Sequence, residues 1–269
     1  MPRSDRSPIR DDASAPKKQQ ARPSGAQTLE RGLELLTRIV EEPVRMVDLT
    51  NESSLGKATV WRLVNILTNQ GLVSINDRGE LQGGVRLLQL AAMTQRRIDI
   101  LVTARPWIDA LAVKTGITAF LGRRDGADSI HLYRSASTQR LMVSTPAGMR
   151  RRLVETSLGK ALLLDDAQDA WSSAFAAAGG DTDEAAFVAG MDENRRRDFV
   201  LNEGGAPDFI NAIASPVRDV SGMIVAAISV ASPAQYLGTS QMPVVAPAVL
   251  GTAASISEAL GWDGQRRPR

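Results

Sequence analysis

At Gly116 the hydrophobic pattern of this 269-residue chain changes its period. Before it, apolar residues recur every three or four positions, as on one face of a helix. After it, short apolar runs bounded by turn residues alternate with helical stretches, as in strands packed against helices. The length suits two domains, and the switch makes the second of them α+β.

The first part reads as three helices and a hairpin. Leu29, Leu33, Leu36 and Val40 mark a helix that begins at Gln27 and stops before Pro43. A short second helix runs from Met46 to about Ser53. A third, from Lys57 to Gln70, buries Val60, Leu63, Val64 and Leu67 and ends on Gly71. Two strands follow, Leu72 to Ile75 and one around Leu81, with turn chemistry at Asn76-Asp77-Arg78-Gly79 between them. This is the element order of a winged helix-turn-helix, here residues 26–84, preceded by a basic and disordered tail at 1–25.

A linker helix is expected over 85–105, with Leu87, Leu88, Ala91, Ile98, Leu101 and Val102 on its apolar faces. Pro106 should open a new helix, since proline suits a first turn and disrupts an interior. The second domain then spans 106–262, with a short tail at 263–269. Its expected strands are Ile117–Leu121, Ser129–Arg134, Arg140–Ser144, Phe199–Leu201, Ile210–Val217 and Met223–Ala231. Its helices are expected at Leu158–Leu164 and Pro243–Leu260, with an Ala-rich stretch and a Gly179-Gly180-Asp181 break between.

Composition narrows the function. There are no cysteines and one histidine, His131, which removes thiol catalysis, Cys-ligated metals and His-dependent triads. No cofactor, metal site or enzymatic activity is expected. Gly159-Lys160 lacks the remainder of a phosphate-binding loop. Asp165-Asp166 and the acids between Asp181 and Glu184 read as exposed helix-end charges, and His131 as a strand residue at a surface or interface. No apolar run approaches a membrane span and no signal sequence is evident, so a cytoplasmic protein with no membrane partner is expected.

A formal net charge of +2 does not announce nucleic acid, so a DNA site must be local. The third helix supplies one. No acidic residue lies between Ser53 and Asn76. With its apolar stripe turned inward, the helix presents Lys57, Thr59, Trp61, Arg62 and Asn65. Arg can donate two bonds to guanine, Asn can pair with adenine, and Thr and Lys can hold phosphate. Arg78, beside Gly79 at the hairpin tip, would reach the backbone or minor groove. A solvated basic face and a protein-interaction module without specific DNA binding are the alternatives.

The strings QTLERGLELLTRIVEE, LGKATVWRLVNILTNQGLV and GELQGGVRLLQLA resemble the DNA-binding domain of the IclR family of bacterial transcriptional regulators. ARPWIDALAVKTG, RRLVETSLGKALLL, FINAIASPVRD and GMIVAAISVASPA continue the likeness to about Trp262. The resemblance implies a winged helix-turn-helix, a linker helix and a C-terminal GAF-like effector domain, working as a homodimer or homotetramer on double-stranded operator DNA. Ser54, Gly56 and Ala58 depart from the family's usual residues at entry to the third helix, which leaves the operator sequence open.

The resemblance also implies an effector pocket over the loop Glu155-Thr156-Ser157-Leu158. Backbone amides at a helix N-terminus favour a carboxylate, which suits a small organic acid. Carried over residue by residue, polar pocket positions fall at Asn202 and Ser229, small ones at Ala212 and Ala231, and an apolar side at Leu141 and Val143. Thr156, Ser157 and Leu158 complete the set. Phe209 and Gly205 stand where the family commonly has Gly and Glu, respectively, implying a less polar pocket and an aromatic acid as ligand. A filled core that binds no ligand is the alternative.

Overall fold

The structure is a computed structural model that describes residues 24–95, 99–179, 183–204 and 209–265. The expected N-terminal tail through residue 23, Ile98, Gly180, Asp181 and Gly205 lie outside the described residues. The chain divides into two compact units between Arg96 and Arg97.

The first unit contains helices α1 (Ser24–Glu41), α2 (Met46–Glu52) and α3 (Lys57–Asn69), the strands β1 (Val73–Ile75) and β2 (Leu81–Gly83), and helix α4 (Val85–Gln95). Leu35, Ile39, Leu49, Val60, Leu63, Val64 and Val73 form its core. β1 and β2 pair antiparallel, and Val44 adds a third partner through reciprocal backbone bonds with Leu81 of 3.0 and 2.8 Å. The apolar residues of α3 recur at helical spacing and therefore all reach this one core. Arg38 of α1 ties down the end of α2 through Glu52, 2.8 Å away.

The second unit is built on a six-stranded antiparallel sheet of order β5-β4-β3-β8-β7-β6. Its strands are β3 (Thr118–Asp125), β4 (Asp128–Ser135), β5 (Arg150–Arg152), β6 (Val200–Asn202), β7 (Ile210–Arg218) and β8 (Ile224–Pro233). Helices α5 (Ile100–Thr115) and α9 (Met242–Ala259) cover one face. On the other lie α6 (Ser157–Leu162), α7 (Gln168–Ala177) and α8 (Glu184–Arg197). Strand alternation sorts the residues: in β8, Ala226, Ile228 and Val230 pack toward α5 and α9, while Ala227 and Ala231 pack on the opposite face. Trp171 of α7 donates to Leu163 O at 2.7 Å and carries the Arg195 guanidinium 3.9 Å above its ring, fastening α7 and α8 beside α6.

Several expectations need correction. The helix expected over 85–105 is not continuous, because Asp99 is extended and caps a new helix by accepting from Leu101 N at 2.8 Å. Pro106 consequently lies inside α5 instead of opening a helix. Val102, whose carbonyl loses its usual donor, is 71% exposed, so water can replace the missing bond. Arg140–Ser144 is not a strand. The edge position beside β4 is taken by the arginines of β5, and Gly148 and Met149 bond the backbone of His131 before that strand begins.

The acids at Asp165 and Asp166 are not exposed helix-end charges. Asp165 accepts both guanidinium nitrogens of Arg218, whose side chain is 3% exposed, and Asp166 accepts from Arg124 at 2.6 Å. Asp183 does cap α8. Helix α8 goes unread in the sequence because its turns are mostly polar and, of its described residues, only Met191 and Asn194 are buried. By length and composition α9 could span a membrane, contrary to the reading that no run comes close. Met242, Ala246, Val249, Ala253 and Ile256 instead place one stripe of it in the core.

Candidate functional sites

Two surfaces carry the chemistry, one in each unit. On α3, Val60, Leu63, Val64 and Leu67 are buried at intervals of three and four, so the remaining positions must face outward. Lys57, Trp61, Arg62 and Asn65 are exposed, with Trp61 at 44%, and Thr59 is half-buried at the edge of the face. Ile66, 52% exposed, belongs to the same surface, although the sequence analysis did not place it there. The nearest acid before α3, Glu52, is engaged by Arg38, whose guanidinium is held above its ordinary pKa chiefly by that hydrogen bond. The face is cationic and polar around one large aromatic ring.

The hairpin tip is organised by Asn76. Its Oδ1 accepts from the backbone N–H of Arg78 and of Glu80, both at 2.9 Å, and its amide donates to the Glu80 carboxylate. Gly79 adopts φ +75, which lets the chain turn there without steric cost. Arg78 is left exposed at the tip.

In the second unit a cavity of about 290 Å³ lies between the sheet and α6. This is near the low end of small-molecule sites and fits a small metabolite, not a nucleotide cofactor. Its floor follows from strand register: Asn202, Ala212 and Ala231 stand opposite one another across β6, β7 and β8, and Ser229 stands opposite Phe120. Small side chains on the central strands leave the space. Thr156, Ser157 and Leu158 line it from α6 and its cap, and Val143 from the irregular segment before β5.

All the residues expected in the pocket except Leu141 therefore meet around one cavity. Leu141 is 54% exposed and outside it, because the strand that would have aimed it inward does not form. Helix α6 has only six residues, and the Thr156 hydroxyl already accepts from Gly159 N at 3.0 Å. The helix terminus is thus a weaker anion site than the sequence suggested.

Sequence reasoning missed Phe120, His131, Thr145 and Arg151, which also line the cavity. His131 is 6% exposed, not a surface residue, and its Nδ1 is buried without a hydrogen-bond partner. Burial, and to a lesser degree the Arg151 charge, pushes its imidazole below the ordinary value, which favours the neutral form. Behind the floor, Lys160 donates to Asn202 Oδ1 at 3.4 Å, and burial lowers its ammonium pKa. Among the described residues no group of His, Cys, Asp and Glu could hold a metal ion.

The family model for the bacterial transcriptional regulator IclR C-terminal domain matches residues 92–258. The HTH-type transcriptional repressor AllR of Escherichia coli K12 is 26% identical over 247 residues, covering 88% of this chain and 91% of that protein. The HTH-type regulator TsaQ1/TsaQ2 of Comamonas testosteroni is 34% identical over 145 residues, 51% of each chain. The crystal structure of an IclR transcriptional regulator from Silicibacter sp. TM1040 superposes with a TM-score of 0.74 at 26% identity, covering 90% of this chain and 99% of that one.

Proposed function

The chain belongs to the IclR family of bacterial transcriptional regulators, and from that premise we propose that it binds operator DNA through α3 and Arg78 under control of a small organic acid in the second unit. The observation that carries the DNA reading is the acid-free exposed face of Lys57, Trp61, Arg62 and Asn65 on a helix anchored by four buried apolar residues. A helix of this kind fits the major groove, where its first turns reach the base edges. Arg78 at the hairpin tip adds a contact to the phosphate backbone.

The second unit acts as a GAF-like effector domain. Its cavity combines apolar walls at Phe120, Val143, Leu158 and Ile210 with a guanidinium at Arg151 and amide and hydroxyl groups at Asn202 and Ser229. That combination suits an acid with an apolar body. Arg151 is only loosely matched by Glu155, 3.7 Å away, so a ligand carboxylate can compete for it. Two or four copies place paired α3 helices on half-sites about one helical turn apart. A ligand that prefers one arrangement shifts the DNA-competent population by its differential affinity for the two.

The test is a titration of the full chain against the fragment upstream of its own coding sequence and against a scrambled fragment of equal length. Specific binding should lie on the nanomolar scale and weaken steeply as salt rises, because phosphate contacts release counterions. Equal affinity for both fragments with a flat salt response would overturn the reading.

A further inference from the structure

In a regular strand, residues two apart face the same side. His131 and Tyr133 do not. The register of β4 against β3 slips between Leu121 and Gly122: Leu121 pairs with Tyr133, Gly122 pairs with His131, and Leu132 is the extra residue. Tyr133 turns to α5, where its hydroxyl donates to Asp109 at 2.8 Å, and Leu132 packs on the same side. His131 turns to the opposite face, into the cavity. A bulge re-aims a side chain, and this one aims the chain's single histidine at the ligand site.

The ring is held firmly there. His131 N donates to Met149 O at 2.9 Å, Gly148 N donates to His131 O at 2.8 Å, and Phe120 meets the imidazole edge-to-face at 5.4 Å. Gly122, opposite in the bulge, is tightly enclosed: a Cβ there would come within 2.7 Å of the end of the Leu158 side chain and 3.0 Å of Ile130 O. Yet Nδ1 has no partner. A buried polar atom left unpaired is costly, and a site built around one rejects molecules that cannot pair with it.

We propose that His131 is a specificity-determining residue: it hydrogen-bonds a neutral hydroxyl of the ligand while Arg151 holds the carboxylate, so that the pocket selects a hydroxylated acid over its dehydroxy counterpart. The inference rests on the acid-pocket reading above. A hydroxyl both donates and accepts, which suits a neutral imidazole in either tautomer. Thr145, Ser157, Asn202 and Ser229 also line the cavity, but among the described residues His131 Nδ1 is the one buried side-chain atom without a hydrogen-bond partner.

Matched probes test it: benzoate against 3- and 4-hydroxybenzoate, and butyrate against 4-hydroxybutyrate, each titrated calorimetrically into the full chain. In at least one pair the hydroxylated member should bind tenfold or more tighter. That preference should vanish in His131→Phe while the dehydroxy member binds as well or better. Because His131 is the only histidine, its imidazole ¹⁵N signals report directly on the unaltered protein, should the variant fail to fold. They should move with the hydroxylated probe and stay with the other. Equal binding of both members, or a preference that survives in His131→Phe, removes the role of His131 and leaves the pocket standing. No binding of any probe overturns the acid pocket and this inference with it.

Discussion

His131 and Tyr133, two residues apart on one strand, face opposite sides of the sheet because Leu132 is bulged out between them. One irregular residue thus lets His131 line the cavity while Leu132 and Tyr133 both pack toward α5. The same arrangement sets the first prediction.

His131 titrates below its ordinary value in the folded chain. The unfolded chain therefore binds more protons between the lowered folded value and about 6.5, and stability rises with pH across that window. Acidification through pH 6 should destabilise the protein, and His131→Asn should lessen the slope. Denaturant titrations of both proteins from pH 5 to 7.5 measure this; parallel curves would contradict it.

Arg218 is 3% exposed, and its guanidinium is shared among Asp165, Asp198 at 3.1 Å and the carbonyl of Gly222 at 3.0 Å. Removing the cation leaves two partly exposed carboxylates and the Gly222 carbonyl without this donor at the closed end of the β7–β8 hairpin. Arg218→Ala should cost about 2–3 kcal/mol, less than the range for breaking a fully buried pair, because both carboxylates keep some contact with water. A loss under 1 kcal/mol in chemical denaturation would show that the network contributes little.

Phe209 holds φ +46 at the entry to β7 with its ring 57% exposed. A bulky residue in the left-handed region carries roughly 1–2 kcal/mol of strain, and little packing is lost by removing this ring. Phe209→Gly should raise the midpoint of thermal unfolding, despite the greater freedom it gives the unfolded chain. A lowered midpoint would mean that the ring's contacts outweigh the strain.

Arg62 is the residue of α3 best suited to read guanine. Arg62→Ala should lose about 1–3 kcal/mol of base discrimination and relax preference at one operator position. Arg78→Ala should instead weaken binding to all sequences alike and reduce the salt slope by about 1. Competition binding against single-base operator variants separates the two effects.

Much of this is legible in the sequence. The α3 stripe of Val60, Leu63, Val64 and Leu67 fixed its own outward face, and the small residues Ala212, Ser229 and Ala231 marked the cavity floor once register brought them together. The failures have physical causes. Val85 to Arg105 looks like one helix because apolar residues recur at helical spacing on both sides of Asp99, whereas Asp99 is extended and starts a new helix through a single capping bond. Leu141 and Val143 alternate like strand residues, but β5 occupies the edge they would have needed. His131 looked peripheral because alternation gives no warning of a bulge. Asp165 looked exposed because its partner, Arg218, lies 53 positions along the chain.

The account stands most directly on how α3 meets DNA. In a chain carrying Lys57→Ala, Thr59→Ala and Arg62→Ala together, anisotropy titration against the upstream fragment should show operator affinity falling to that for scrambled DNA. Circular dichroism and the unfolding midpoint should stay unchanged. A folded triple variant that still holds its operator with the original affinity and salt dependence would contradict the account.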